Sequence, residues 1–134
     1  MQPSESPPEG PATRAWVAIA ATHFNARRYW QAHEGWREAA LRAPSELKPF
    51  YEGLILVTWG LAHIQARKPA LARRELRKGL EMLGPYVPVQ DDLIIEEVVD
   101  MCSRLLRQLE AGIVPYLIPP VLKYVDSYGP AGAS

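Results

Sequence analysis

The chain has a single cysteine, Cys102, which excludes an internal disulfide framework and fits a reducing compartment. No apolar run reaches the length of about eighteen residues that a membrane-spanning helix requires. Fifteen basic and fifteen acidic side chains cancel to zero formal charge, which argues against a protein that coats a polyanion. The opening MQPSESPPEG is acidic and proline-rich, without the basic-then-apolar layout of a secretion signal. Sustained alternation of apolar and polar residues, the mark of a half-buried strand, is missing, and so are a glycine-rich phosphate loop and a nucleophile elbow. These absences predict a soluble, cytoplasmic, single-domain protein of the all-α class.

Proline is plentiful, with thirteen in 134 residues, and its placement divides the chain. Proline inside a helix removes a hydrogen bond and clashes with the preceding turn, so helices must lie in the proline-free stretches 12–43, 50–68, 70–84 and 89–114. Residues 1–12 hold four prolines and no large aliphatic residue except Met1, which predicts a disordered tail before a helical domain over 13–111. The first helix is expected from an N-cap at Thr13, with Trp16, Ile19, Ala20 and His23 on its apolar face. A turn at 25–28 leads to a second helix from Tyr29 to Arg42, carrying Ala32, Trp36, Ala39 and Ala40 on one side. The third, about Leu47 to Arg67, is the most apolar and spans roughly 30 Å. Pro69 suits the first turn of a fourth helix that ends at Leu83 before Gly84-Pro85. A fifth is expected from about Asp91 to Ala111, with acidic residues in its first turn.

Three glycines interrupt these helices, Gly35, Gly53 and Gly60, each costing about 1 kcal/mol relative to alanine. Close approach of a neighbouring helix is the expected reason. After Gly112 the chain is too rich in proline for a helix and too apolar to stay solvated. Residues 112–134 should therefore lie extended across the domain or cover a partner subunit.

Shifting the sequence by forty residues sets His23–Arg28 (HFNARR) over His63–Lys68 (HIQARK). The same offset pairs Ala20 with Gly60, Ala32 with Ala72, Trp36 with Leu76 and Ala39 with Gly79. Each copy reads as helix, turn, helix, with small residues where the helices would touch and large ones filling the groove between copies. Trp16, Ala20, Ala32, Trp36, Ala39 and Pro44 resemble the tetratricopeptide hairpin pattern. The expected architecture is a five-helix bundle: two stacked antiparallel hairpins, a capping fifth helix, and a Pro-rich apolar C-terminal tail.

The same residues resemble the domain-of-unknown-function family 309, small helical proteins of bacteria and archaea. The resemblance rests on Phe24-Asn25, Tyr29, Ala32-His33-Glu34, the Gly53-Leu54-Ile55 helix, His63, and the helix running from Ala72-Arg73-Arg74 to Leu80 and Leu83. It covers about residues 15–84. Where the family commonly carries glutamate, tryptophan and glutamine, this chain has Arg37, Ala40 and Leu56. That family has no established activity, so the resemblance implies a fold and not a reaction.

His33-Glu34 invites a metal reading, but the zinc-peptidase pattern needs a second histidine four residues after the first, and Arg37 stands there. Glu52 and His63, other ligand candidates, lie roughly 16 Å apart along one helix and cannot share an ion. No metal or cofactor is expected. His33, Glu34, Arg37 and His63 make a candidate polar pocket instead, for a small ligand or as hydrogen-bonded groups fixing helix register. Cys102, flanked by Met101, Leu105 and Leu106, reads as a core residue. Charge is segregated. Arg67, Lys68, Arg73, Arg74, Arg77 and Lys78 form a basic stretch opposed only by Glu75, while Asp91, Asp92, Glu96, Glu97 and Asp100 form an acidic one. These stretches are read as complementary rims of neighbouring fourth and fifth helices, as a head-to-tail contact between subunits, or, as the main expectation, as solvated helix faces. Nucleic-acid binding through the basic helix is the weaker alternative, for want of net charge and a reading motif. The sequence points to an interaction or scaffolding module for which no catalysis is inferred, whose partner is another protein or a second copy in a homodimer; the alternative is a small-ligand or metal-binding protein or enzyme using His33-Glu34 with His63.

Overall fold

Helices form where the prolines permit them. A computed structural model describes residues 9–125 of the chain, with side chains from residue 13 onward. Its helices are α1 (Glu9–Asn25), α2 (Tyr29–Arg42), α3 (Lys48–Gln65), α4 (Pro69–Leu83) and α5 (Glu96–Glu110). Two single-turn 3-10 helices (Ser45–Leu47 and Gly84–Tyr86) and three two-residue strands, β1 (Val89–Gln90), β2 (Leu93–Ile94) and β3 (Lys123–Tyr124), complete the elements of the described residues. The fold is essentially all-α, as expected. α2 and α4 have the predicted bounds. The helix α1 begins earlier than predicted: residues 9–12 are helical, Thr13 is inside the helix rather than capping it, and residues 1–8 of the expected tail lie outside the described residues. Pro11 falls in the first turn, where its missing N–H has no helical partner to lose.

Packing follows chain order, α1 on α2, α2 on α3, α3 on α4 and α4 on α5. The forty-residue echo reappears in the backbone of two turns. After α1, Arg28 N–H donates to His23 O at 2.9 Å and Arg27 N–H to Phe24 O at 3.0 Å; after α3, Lys68 N–H donates to His63 O at 2.8 Å and Arg67 N–H to Ile64 O at 3.0 Å. Each is a Schellman cap, which requires a left-handed residue just past the helix. Arg27 (φ 62°) and Arg67 (φ 60°) fill that position, although glycine would fit without strain. The cap after α5 uses glycine in the same role, at Gly112 (φ 82°).

Small residues let the hairpin helices touch backbone to backbone. A methyl added at Gly35 on α2 would stand 2.7 Å from the Ala20 Cβ and 3.0 Å from its Cα on α1. One at Gly79 on α4 would stand 3.0 Å from the Val57 nitrogen on α3. Gly53 and Gly60 instead make room for the side chains of Leu83 and Leu76. Around these contacts sits one core, with Phe24, Trp36, Phe50, Tyr51, Leu54, Leu61 and Leu76 fully buried. In α1 the buried face is Val17, Ala20, Ala21 and Phe24; Ile19, predicted to face inward, is 43% exposed.

The start of α5 departs from expectation. Asp91 and Asp92 were expected in a helical first turn, but both are left-handed (φ 54° and 64°), the geometry of a two-residue type I′ hairpin joining β1 to β2. The acidic stretch therefore does not line α4. Asp91 accepts a 2.5 Å hydrogen bond from the Tyr51 hydroxyl, Asp92 meets Arg14 at 3.2 Å and Glu97 meets Lys123 at 3.5 Å. Arg77–Glu110, at 2.9 Å, is the ion pair between α4 and α5 among the described residues.

Residues 113–125 run extended over the chain's own helix ends. Arg67 donates to the carbonyls of Pro115 (2.8 Å) and Val114 (3.3 Å), and its guanidinium lies over the Tyr116 ring at 4.4 Å. Asn25 then pairs with Leu122 like a strand residue, its Nδ2 donating to the carbonyl at 2.9 Å and its Oδ1 accepting from the amide at 2.8 Å. β3 pairs antiparallel with β2, Leu93 opposite Tyr124. The remaining residues of the predicted tail, 126–134, lie outside the described residues.

Candidate functional site

Two surfaces combine polar chemistry with exposed apolar area. The first gathers the predicted polar pocket around a tryptophan. α2 carries Trp30, His33, Glu34 and Arg37; α3 carries Trp59 and His63; α4 carries Glu75. Trp59 touches both histidine rings, with centroids at 4.6 Å from His33 and 5.9 Å from His63. Trp30 meets Trp59 edge-on at 5.4 Å, an L-shaped corner whose outer wall, Trp30, is 61% exposed. His63 Nδ1 is hydrogen-bonded to the Glu75 carboxylate at 2.5 Å, which fixes the ring.

His33 is not closed off in the same way. Its ring is 6% exposed, yet no hydrogen bond of good geometry reaches the buried Nδ1, and the Glu34 carboxylate stays 3.8 Å away. Burial lowers its pKa below the ordinary 6.5; Glu34 and the Trp30 backbone oppose that shift and Arg37 adds to it. The imidazole is therefore neutral near pH 7. The sequence named His33, Glu34, Arg37 and His63 for this pocket but not Trp30, Trp59 or Glu75. The i+3 step from Trp30 to His33 and the i+4 step from Trp59 to His63 were the available signals. No group of three or more His, Cys, Asp or Glu side chains among the described residues is arranged to hold a metal ion.

The second surface lies at the other side of α4. Between α5 and the extended segment runs a groove of about 840 Å³, floored by Leu105 and walled by Met101, Val114 and Ile118, with Arg104 and Arg107 on its rim. Ile113 (51% exposed), Tyr116 (82%) and Ile118 (68%) line the same groove from the extended segment. Apolar groups this exposed in one short run mark an interaction surface more often than a random surface.

The basic stretch is divided by the fold. Arg67 binds the extended segment and Arg77 binds Glu110, whereas Lys68, Arg73, Arg74 and Lys78 are exposed. Cys102 is fully buried, and burial pushes its thiol up to about 12. It is protonated at neutral pH and is not a nucleophile there. No helix among the described residues is long and apolar enough to cross a membrane.

Comparison with known proteins agrees with the resemblance noted in the sequence. Residues 17–74 match the family model described as Domain of unknown function (DUF309). That span covers α1 from Val17, all of α2 and α3, and the first turn of α4, so it takes in Trp30, His33, Glu34, Arg37, Trp59 and His63 but stops one residue short of Glu75. The groove on α5 lies outside the matched span. No curated protein and no solved structure matches the chain.

Proposed function

We propose that this domain is a protein-interaction module that receives its partner on the α5 face and the extended segment 113–118. The observation that carries the reading is the exposure of Ile113, Tyr116 and Ile118 beside an apolar groove. Helical scaffolds commonly bind partners through such grooves, with a few large side chains supplying most of the affinity. The double variant Ile113→Ser with Ile118→Ser tests it. Both side chains are mostly solvated, so the melting temperature should hold while partner capture and self-association are lost. Unchanged capture and light scattering in a variant that melts normally would reject the docking role.

The orphan Nδ1 of His33 beside the exposed Trp30 favours a second reading, a small-ligand site in the corner formed by Trp30 and Trp59. A thermal-shift screen of metabolites against the native chain and His33→Gln tests it. A ligand that raises the melting temperature of the native chain alone supports this reading. No shift with any compound removes it.

A further inference from the structure

The solvent face of α5 is charged in two halves. Glu97 and Asp100 stand toward its start and Arg104 and Arg107 toward its end, all four exposed, with Met101 and Gln108 between and beside them. Helical spacing of three and four residues puts these positions on one stripe. Among the described residues Asp100, Arg104 and Arg107 have no ion-pair partner, Glu97 meets only the exposed Lys123 at 3.5 Å, and Asp100 and Arg104 do not bridge each other although they stand four apart. Arg104 and Arg107 also rim the apolar groove.

Two such stripes complement each other in one orientation. If a second α5 is laid antiparallel about a two-fold axis at the level of Cys102, Asp100 faces the partner's Arg104 and Glu97 faces the partner's Arg107. Both pairs have the same midpoint in the sequence, so a single register satisfies both and, by symmetry, their two copies. A parallel arrangement sets Arg104 against Arg104 and Asp100 against Asp100. A two-fold interface needs this kind of self-complementarity.

We propose that the chain pairs with a second copy of itself by antiparallel packing of α5 on α5, with Asp100–Arg104 and Glu97–Arg107 pairs across the axis and the apolar groove beside α5 covered by the other copy. This rests on the reading of the α5 face as the docking surface. The fifteen-residue helix is roughly 22 Å long. One helix face of that length falls short of the ~800 Å² per partner of a standard stable interface, so groove coverage must supply the rest. The dimer is accordingly concentration-dependent, and its exposed charge pairs make it weaken with salt.

The test is sedimentation equilibrium or light scattering of the full chain over a concentration series, at low and high salt. Arg104→Glu should weaken the dimer at least tenfold by placing like charges opposite each other. Adding Asp100→Lys to that variant should restore dimerisation, because the swapped pair is again complementary across the axis. Both positions are exposed and mid-helix, so melting curves should confirm intact folding in each variant. A native dimer that is indifferent to Arg104→Glu, or a double variant that stays as weak as the single one, overturns the proposal. A native chain that remains monomeric yet captures another protein through Ile113 and Ile118 overturns the self-pairing alone and leaves the module reading standing. A monomer that captures nothing removes both.

Discussion

Trp36 on α2 donates its indole N–H to the Thr58 hydroxyl on α3 at 3.1 Å, and that hydroxyl donates in turn to the Leu54 carbonyl at 2.7 Å. Both residues are completely buried. The relay satisfies polar atoms that water cannot reach and ties the first hairpin to the second. Trp36→Ala should cost about 3–5 kcal/mol through the cavity it leaves. Trp36→Phe keeps most of the volume but strands the Thr58 oxygen without its donor, costing about 1–2 kcal/mol. Urea unfolding midpoints would rank the two; equal losses would show that the hydrogen bond, not the volume, dominates.

Glycine substitutions should separate backbone contact from helix propensity. Gly35→Ala brings a methyl against the Ala20 backbone. Overpacking of that kind costs about 1–3 kcal/mol and outweighs the ~1 kcal/mol gained from helix propensity. Gly84→Ala meets nothing within 4 Å and should lie within about 0.5 kcal/mol of the native chain or slightly above it. Thermal melts of the two variants check the contrast.

The left-handed arginines make a matched pair of opposite sign. Arg27→Gly relieves a strained conformation of about 1–2 kcal/mol per non-glycine residue, offset in part by the greater freedom of the unfolded glycine, and should raise stability by about 0.5–1 kcal/mol. Arg67→Gly relieves the same strain but loses the hydrogen bonds to Pro115 and Val114 and the contact with Tyr116. It should bring no gain, and hydrogen exchange of residues 113–118 should speed up in that variant alone.

The buried imidazole of His33 sets a pH dependence. Its folded pKa lies below the ordinary 6.5, so the unfolded chain binds the proton more readily. The stabilisation from a neutral His33 is complete above pH 6.5 and is lost as the pH falls from there through the lowered folded value. His33→Gln cannot titrate. Measured against it by urea unfolding at pH 7.5 and 5.5, the native chain should lose more stability on acidification. Parallel losses would mean that His33 does not carry the effect.

Where the chain's punctuation is local, it was legible. Pro69, Gly84 and the gap at 25–28 are visible in sequence, and α2 starts, and α4 starts and ends, where those residues put them. The forty-residue echo likewise foretold the matched turns. The start of α5 was not legible, because Asp91-Asp92 suits a helix N-terminus as well as a left-handed hairpin. The choice is made by β3, some thirty residues further on, which pairs with β2. The candidate site was half legible for the same reason. His33 and His63 announced themselves as polar residues on apolar faces, but Glu75 reaches His63 across the α3–α4 turn, and hydrophobicity alone assigns tryptophans to the core.

The bond between Asn25 and Leu122 spans 97 positions. A nascent chain that has both hairpins outside the ribosome still lacks the residue that closes off the end of its first helix. Assembly of this molecule is therefore completed last at its earliest-made turn. Truncation before Leu122, by early termination or by a protease, would expose the backbone of β2 and the end of α1 together.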